Sequence, residues 1–251
     1  MLKKRIIPTL LFNNHSLVKG KKFNSSRKVG SVMEAISMYD LREVDELFFF
    51  DIEASKENKV IDFSYVSEIS KECFVPLCVG GGIKDLKSIY KLLSSGADKV
   101  SINSNALLNK NFIYQSAKEF GSQCIVVSLD YKYENDKKYI YIKSGSEKKE
   151  EDFFNQIKFV EDQGAGEILL TCIDRDGTMK GYDKKGLKEV KELINIPLIA
   201  SGGAGSYQDM YEVISETNVD AVCAASIFHF THLTPNEAKK FLREKKINVR
   251  N

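Results

Sequence analysis

The sequence has little proline and glycine, 4 and 16 residues among 251, and it contains no apolar run near the length of a membrane span. A membrane-crossing helix needs about 20 apolar residues, and collagen-like or disordered chains are strongly biased in composition. With 43% hydrophobic residues, the chain is instead predicted to be globular. It is long enough to form one large α/β domain over residues 1–251.

An excess of one charge sign is also absent. Lysine and arginine number 37 against 35 aspartates and glutamates, which gives a net charge of +2, and the lysines are scattered. Nucleic-acid-binding proteins concentrate basic residues in a stripe, so we expect no nucleic-acid partner. The densest charged run, residues 148–152, mixes both signs and predicts a solvated helix start.

Cysteine and histidine are scarce, with five and three residues. The histidines offer no third ligand at metal spacing, so neither a metal nor another cofactor is predicted. The cysteines are odd in number, form no C-x-x-C pair and mostly lie in apolar runs. We therefore interpret them as small buried hydrophobes of a reducing compartment: Cys73, Cys78, Cys124, Cys172 and Cys223.

The start of the sequence combines basic and apolar residues as a secretory signal does. Its apolar stretch is only about seven residues long, contains Pro8 and is followed by no small-residue cleavage site. We therefore predict that this stretch forms the first strand of a cytoplasmic protein.

Short β-rich runs alternate with segments of helical period. The runs are too hydrophobic to have one wet face, which is typical of parallel strands covered on both sides. They occupy residues 5–11, 46–52, 75–80, 98–102, 123–130, 167–172, 197–201 and 220–224. Helical segments occupy residues 32–41, 84–93, 152–163, 184–194 and 207–215, and a capping box from Thr234 to Glu237 opens the last helix. This alternation predicts a single α/β domain with the closed (β/α)8 or TIM-barrel fold.

The two halves of the chain resemble each other at a spacing of about 120 residues. Residues 5–11 align with 124–130, residues 46–49 with 167–170, and residues 76–82 with 197–203. Three matches at nearly one spacing indicate a two-fold half-barrel repeat. After the fifth strand, residues 131–142 alternate polar and aromatic side chains and predict a β-hairpin.

Glycine-rich turns follow three of the predicted strands, at residues 80–82, 176–178 and 201–205. Glycine lets backbone N–H groups approach an anion, and a following helix adds its positive end. Because two of the turns occupy matching positions of the two halves, we predict a substrate with two phosphates. The alternative is that the glycines only form tight turns, since no turn completes a Walker loop or a dinucleotide fingerprint.

Four carboxylates lie where predicted strands end, and this is the face on which barrel enzymes carry their catalytic groups. A carboxylate at the rim of a pocket can act as a general acid or base. It can equally cap a helix or pair with a lysine or arginine. Both possibilities stay open for Asp51, Asp130, Asp174 and Asp176.

Four charged residues lie at the opposite ends of predicted strands one, two, four and six: Arg5, Glu46, Lys99 and Glu167. Two cations and two anions that converge on one mouth of a barrel can form a closed ring of salt bridges. Taken alone, such a ring at the N-terminal face is expected to serve stability.

Together these motifs resemble the HisF family, the cyclase subunit of imidazole glycerol phosphate synthase, over essentially the whole chain. The sister isomerase of the same pathway shares the glycine turns and the repeat, but not the four charged residues together. The matching motifs are residues 4–7, 18–20, 79–83, 96–103, 120–123, 164–171, 173–178, 200–205 and 228–230.

The resemblance implies a barrel whose N-terminal face docks a HisH-type glutaminase, with Asp98 at a partner-contact position. Ammonia would pass a gate and travel through the barrel to a bisphosphorylated ribulosyl aminoimidazole carboxamide nucleotide at the other face. The gate positions match Arg5, Glu46, Lys99 and Glu167. The phosphate-binding positions match Gly82, Asn103 and Ser104 at one site, and Asp176, Gly177, Gly203 and Ser226 at the other.

The HisF family closes the imidazole ring with two opposed aspartates, at the ends of strands one and five. Asp130 matches the second, but the position that corresponds to it in the first half is Leu11. Leucine cannot transfer a proton, and the loss of one acid or base lowers a rate by about 10²–10⁴.

An intact gate beside a missing aspartate resembles HisF-like proteins of bacterial surface-sugar gene clusters. The leading expectation is therefore that the barrel conducts ammonia for a separate sugar amidotransferase, which converts an N-acetyl group to an acetamidino group in lipopolysaccharide biosynthesis. One alternative is a histidine-pathway cyclase in which Asn13, Asn14 or His15 replaces the missing acid. The other is a barrel that only binds a ligand or acts as a scaffold.

Overall fold

The computed structural model describes residues 3–13, 16–42 and 44–250, with all their side chains except those at 25 and 26. The strands, in chain order, are β1 (Arg5–Asn13), β2 (Ser16–Lys21), β3 (Asn24–Gly30), β4 (Leu47–Asp51), β5 (Leu77–Gly80), β6 (Lys99–Ile102), β7 (Ile125–Glu134), β8 (Lys137–Ile142), β9 (Glu147–Lys148), β10 (Glu167–Cys172), β11 (Leu198–Ser201) and β12 (Ala221–Ala224).

Eight of these strands form one closed parallel sheet, which confirms the predicted (β/α)8 barrel. Their order is β1-β4-β5-β6-β7-β10-β11-β12, and β12 pairs with β1 to close the ring. Each predicted run overlaps one of these strands, and the predicted bounds differ from the observed ones by at most four residues. The two halves of the barrel each contribute four strands, as the repeat predicts.

The helices are α1 (Val32–Leu41), α2 (Phe63–Ser70), α3 (Leu86–Ser94), α4 (Ser104–Leu108), α5 (Phe112–Phe120), α6 (Phe153–Asp162), α7 (Lys184–Leu193), α8 (Tyr207–Thr217), α9 (Ser226–Phe230) and α10 (Pro235–Glu244). Within the described residues, none of them is long and apolar enough to cross a membrane.

Side-chain caps fix where several of the helices begin. Thr234 and Glu237 form the predicted capping box at the start of α10, which has Pro235 in its first turn. Asp152, the last residue of the mixed charged run, accepts a hydrogen bond from Asn155 N and starts α6. One such cap contributes about 1 kcal/mol of stability, so these short polar segments set the helix boundaries.

Alternation along the barrel strands separates an outer core from an inner one. On β1, Ile6 and Leu10 point outward and pack under the helices, whereas Ile7 points inward. Burying one such side chain contributes about 1.5–3 kcal/mol. All five cysteines are free thiols. Cys78, Cys172 and Cys223 are buried as predicted, whereas Cys73 and Cys124 are only partly buried.

Two hairpins extend from the barrel rim beside the pocket. The predicted hairpin at 131–142 is confirmed, since β7 pairs with β8 and the turn residues Asn135 and Asp136 both have positive φ. The segment from Val18 to Gly30, in which the sequence patterns predict no strand, belongs to a second hairpin formed by β2 and β3. Its polar, lysine-rich strands lack the apolar alternation from which strands are predicted.

Candidate functional site

A cavity of about 430 Å³ opens at the C-terminal ends of the barrel strands. All eight barrel strands contribute to its wall, as is typical of active sites in this fold. Hydroxyl side chains of the barrel strands also line it, and no sequence motif pointed to them. They are Thr9, Ser101, Ser128, Thr171 and Ser201.

Asp130 is one of the buried carboxylates that line this cavity. Its Oδ2 accepts a hydrogen bond from Asn103 Nδ2 at 2.8 Å, and the Thr171 hydroxyl donates a second one. Burial raises the pKa of Asp130 to about 7, although the bonds from Asn103 and Thr171 oppose this rise. A carboxyl with that pKa holds or releases a proton near neutral pH, as a general acid or base must.

Leu11 lines the same cavity from β1. It lies beside Phe50 in the register of β1 with β4, and it occupies the position of the first half-barrel that corresponds to Asp130 in the second. Asn13 pairs with Ser16 at the end of β1 and is not among the residues that line the cavity. Asn14 and His15 lie outside the described residues.

Lys19 places a buried cation in the cavity, which the sequence analysis did not identify. Its Nζ donates to both oxygens of Asp176, at 2.9 and 3.2 Å, and its side chain is 4% exposed. The lysine comes from the β2–β3 hairpin, so this ion pair fastens the hairpin to the barrel rim. Its position inside the 18–20 motif was the available signal.

The seven predicted phosphate-binding residues all line this one cavity: Gly82, Asn103, Ser104, Asp176, Gly177, Gly203 and Ser226. Gly82 and Gly203 have φ of +63° and +111°, and a Cβ would lie 1.7 Å from Lys59 O and 2.2 Å from Gly181 O respectively. Glycine is therefore required at both turns by packing alone. Ligand binding by these turns stays a prediction.

Two hydroxyls at the turns differ in their partners. Ser104 Oγ accepts a hydrogen bond from Lys143 N at 2.9 Å, which connects the turn to the β7–β8 hairpin. Ser226 Oγ is buried at the start of α9 and has no hydrogen-bond partner among the described residues. Burying a hydroxyl without a hydrogen-bond partner costs about 1–3 kcal/mol of folding stability. Because Ser226 Oγ has no such partner, it is available to bind a ligand oxygen.

The remaining rim carboxylates have structural partners. Asp51 accepts hydrogen bonds from Glu53 N and Ala54 N at 3.0 and 3.1 Å, and burial raises its pKa. It therefore caps the loop after β4 while it also lines the cavity. Asp174 accepts a hydrogen bond from Tyr133 N at 2.9 Å and lies outside the cavity, so it anchors the hairpin.

At the opposite end of the barrel, the four predicted charged residues form a closed ring. Arg5 contacts Glu46 at 2.5 Å and Glu167 at 3.1 Å. Lys99 contacts the same two carboxylates at 2.8 and 3.0 Å. Cations and anions therefore alternate around the mouth, which we call the charged ring.

The charged ring is largely buried, and its side chains are 3–18% exposed. Burial lowers the pKa of Arg5 and of Lys99, but the carboxylates of Glu46 and Glu167 outweigh it and raise both pKa values. Arg5 and Lys99 therefore stay charged near neutral pH. Removing one of them would leave an uncompensated buried charge.

Between the charged ring and the cavity lies a layer of buried, mostly apolar side chains inside the barrel, which we call the apolar layer. Phe48 and Ile7 are fully buried there, and Phe48 packs on Phe50 with ring centroids 5.4 Å apart. The layer comprises Ile7, Phe48, Cys78, Val126, Leu169, Ile199, Ala221 and Cys223.

Exposed apolar side chains lie near the charged ring. Phe74 precedes β5 and is 80% exposed, and Leu41 at the end of α1 is 85% exposed. Phe74 N donates to Asp40 Oδ1 at 2.9 Å, which brings their two loops together. Asp98 is exposed at the same face, and its Oδ2 accepts a hydrogen bond from Leu77 N at 2.8 Å.

Within the described residues, no cluster of three potential metal ligands is present.

Comparison with known proteins shows similarity over the full chain. Residues 5–234 match the family model described as "Histidine biosynthesis protein". The chain is 49% identical to "Imidazole glycerol phosphate synthase subunit HisF" of Dictyoglomus thermophilum, over 100% of this chain and 99% of that protein. It is 43% identical to the protein of the same name from Natranaerobius thermophilus, over the full length of both.

Proposed function

The chain belongs to the HisF family of histidine biosynthesis proteins, and on this premise we propose that it is the cyclase subunit of an imidazole glycerol phosphate synthase. Its substrates would be ammonia and the bisphosphorylated ribulosyl aminoimidazole carboxamide nucleotide. The observation that carries the proposal is that the charged ring and the cavity are the two ends of one barrel interior.

The glutaminase partner would dock on the face that carries the charged ring. Phe74 and Leu41 supply exposed apolar surface there, and large apolar side chains are typical anchors of protein interfaces. Asp98 supplies a carboxylate, one oxygen of which accepts a hydrogen bond from Leu77 N. A HisH-type subunit with an apolar pocket and a basic rim would fit this face.

Ammonia would enter at the charged ring and leave it as neutral NH3. Glu46 and Glu167 can accept hydrogen bonds from ammonium, but the apolar layer offers a charge no compensation. Burying an ion in such surroundings is far more costly than burying a neutral molecule. The ring would therefore admit the nitrogen as neutral NH3, and the apolar layer would exclude water and ions.

In the cavity, the two glycine turns would hold the two phosphates of the nucleotide. Ser226 Oγ would donate its unused proton to one phosphate, and Lys19 would offset part of the negative charge. Two fixed phosphates would orient the middle of the substrate toward Asp130. Since the pKa of Asp130 is about 7, this carboxyl would move the protons that ring closure requires.

Leu11 supports a second candidate function. The position that faces Asp130 in the repeat carries no ionisable group, so the barrel would conduct ammonia to an acceptor on another protein. The leading sequence-based expectation was an N-acetyl sugar amidotransferase of lipopolysaccharide biosynthesis. The full-length relatives are synthase subunits by name and do not support that acceptor, so they favour the histidine-pathway cyclase.

Co-expression with a HisH-type glutaminase tests the shared part of both candidates. We expect the two chains to co-purify and glutamine to drive nitrogen transfer. Phe74→Ala is expected to weaken the complex, whereas Tyr90→Ala, at an exposed site on the outer helix α3, is expected to leave it intact. A protein that stays monomeric beside the glutaminase would refute both.

A further inference from the structure

Three aspartates at the charged-ring end tie neighbouring barrel strands together in the same way. Each lies just before β4, β6 or β12 and accepts a hydrogen bond from a backbone N–H at the start of the preceding barrel strand. We call these contacts strand clasps. They join Asp45 to Ile6 N at 2.9 Å, Asp98 to Leu77 N at 2.8 Å and Asp220 to Leu198 N at 2.9 Å.

The Asp45 clasp lies directly beside the charged ring. Asp45 is the chain neighbour of Glu46, and Ile6 is the chain neighbour of Arg5. The clasp therefore fixes the backbone on both sides of the Arg5–Glu46 ion pair, the shortest contact of the ring at 2.5 Å. The Asp220 clasp adjoins Ala221, which has no charge to contribute, and it reaches the ring only through the backbone, where Arg5 N donates to the Asp220 carbonyl at 3.3 Å.

Lys239 of α10 holds the Asp45 carboxylate in place. Its Nζ lies 2.7 Å from Asp45 Oδ1, and the two side chains are 4% and 2% exposed. The other oxygen, Oδ2, accepts the bond from Ile6 N. At such depth an unpaired charge is costly, so the contact with Lys239 stabilises the carboxylate in this position. The Asp45 carbonyl also accepts a hydrogen bond from Arg250 Nη1 at 3.3 Å, so the C-terminal segment contacts the same residue.

We propose that Lys239, acting through Asp45, is a positioning residue that holds the Arg5–Glu46 half of the charged ring in the geometry that admits ammonia. This inference rests on the proposed function, because only an ammonia gate gives the ring a role in nitrogen transfer. Through Lys239, the last helix of the barrel, α10, would help to couple ammonia release in the glutaminase to ammonia use in the cavity. Loss of the lysine would loosen the clasp without touching a ring side chain.

The test compares Lys239→Met with Lys191→Met. Lys191 is the lysine of the Asp220 clasp, at 2.6 Å, and serves as the matched control. In complex with a HisH-type glutaminase, turnover of the bisphosphorylated nucleotide is measured with glutamine and with ammonium salt. In Lys239→Met the ratio of glutamine-driven to ammonium-driven turnover is expected to fall about tenfold, since small displacements far from the chemistry can cost this much. In Lys191→Met the ratio is expected to stay unchanged.

A purely structural role for Lys239 would lower both rates by one factor and leave the ratio unchanged, and that result would overturn the proposal. An equal fall of the ratio in Lys191→Met would also overturn it. Asp45→Asn is the second variant, because it keeps an acceptor for Ile6 N while it removes the charge that Lys239 contacts. It is expected to lower the ratio in the same direction, and an unchanged ratio in both variants counts against positioning.

A readout on the isolated barrel separates this proposal from the proposed function. Hydrogen exchange of the Arg5 guanidinium, followed by NMR, is expected to be faster in Lys239→Met than in the wild type and to be restored in Lys239→Arg. Unchanged exchange would overturn the positioning role, whatever the activity. If the wild type shows no glutamine-driven turnover, the proposed function fails, and faster exchange in Lys239→Met still supports the positioning of the ring.

Discussion

Leu11 and Asp130 line one cavity from corresponding positions of the two half-barrels, and only one of them can carry a proton. The sequence repeat places them at equivalent points of β1 and β7. Asp130 is therefore the one member of the pair with acid–base capacity, and burial raises its pKa to about 7. Proton transfer from these two corresponding positions therefore depends on Asp130 alone.

Leu11→Asp is expected to raise nucleotide turnover by about 10²-fold, because a second proton-transfer group contributes roughly that much. Ammonium-driven turnover by the isolated barrel is the measurement. Leu11→Asn is the matched control, because it has a similar shape and polarity but no proton to transfer, and it is expected to leave the rate low. Equal rates in both variants would show that the position takes no part in acid–base chemistry.

The stability of the protein is expected to depend on pH through Asp130. Since its pKa is raised from 3.8 to about 7, the folded state keeps a proton that the unfolded state releases, and stability falls as the pH rises between these values. The slope is at most about 1.4 kcal/mol per pH unit, and it vanishes above the folded-state pKa. Urea unfolding at pH 5 and pH 8 measures this effect.

Asp130→Asn serves as the control for that pH dependence. The variant would have no buried charge at this position, so its stability relative to the wild type should increase as the pH rises to about 7. Above that pH the difference in stability should stay constant. A difference between the two proteins that does not change with pH would contradict the assignment of the raised pKa to Asp130.

Ser226→Ala is expected to separate stability from binding. The Ser226 hydroxyl is buried without a partner, so its removal should leave stability equal or raise it by up to about 1 kcal/mol. The KM for the bisphosphorylated nucleotide should rise, because a phosphate contact is lost. Thermal unfolding and steady-state kinetics test this, and Ser104→Ala, which removes the contact to Lys143 N, should instead lower stability. An unchanged KM in Ser226→Ala would exclude the phosphate contact.

Lys99→Met is expected to break the charged ring while leaving the cavity intact. Glu46 and Glu167 would then lose one of their two cations, and removing one partner of a buried pair costs about 3–5 kcal/mol when burial is complete. The cost should be smaller here, because the Lys99 side chain is 18% exposed. Glutamine-driven turnover should fall and ammonium-driven turnover should persist. An equal loss of both would contradict a role in admitting ammonia.

The sequence patterns predicted the barrel well because its strands and helices follow strong local rules. Continuous apolar runs indicated the parallel strands, and the capping box at Thr234 and Glu237 marked the last helix. The β2–β3 hairpin was not predicted, because its strands contain polar residues such as Lys19, Lys21 and Asn24 and do not alternate apolar with polar side chains. β2 pairs with the end of β1 and with β3, so backbone pairing and the Lys19–Asp176 contact hold these strands in place of an apolar face.

Within the site, the repeat placed Leu11 and Asp130 correctly in one cavity. The pairing of Lys19 with Asp176 spans 157 residues, so no local pattern could reveal it. The Asp45–Lys239 contact likewise joins opposite ends of the chain. Such contacts depend on closure of the barrel, which brings the first and last strands side by side.

The most direct test of the proposed cyclase is to mix the purified protein with the bisphosphorylated nucleotide and ammonium salt and to follow the loss of the nucleotide's absorbance. The proposed function predicts turnover that depends on Asp130 and ceases in Asp130→Asn. No turnover by the wild type, together with turnover by Leu11→Asp, would contradict it and would identify a barrel that conducts ammonia without closing the ring itself.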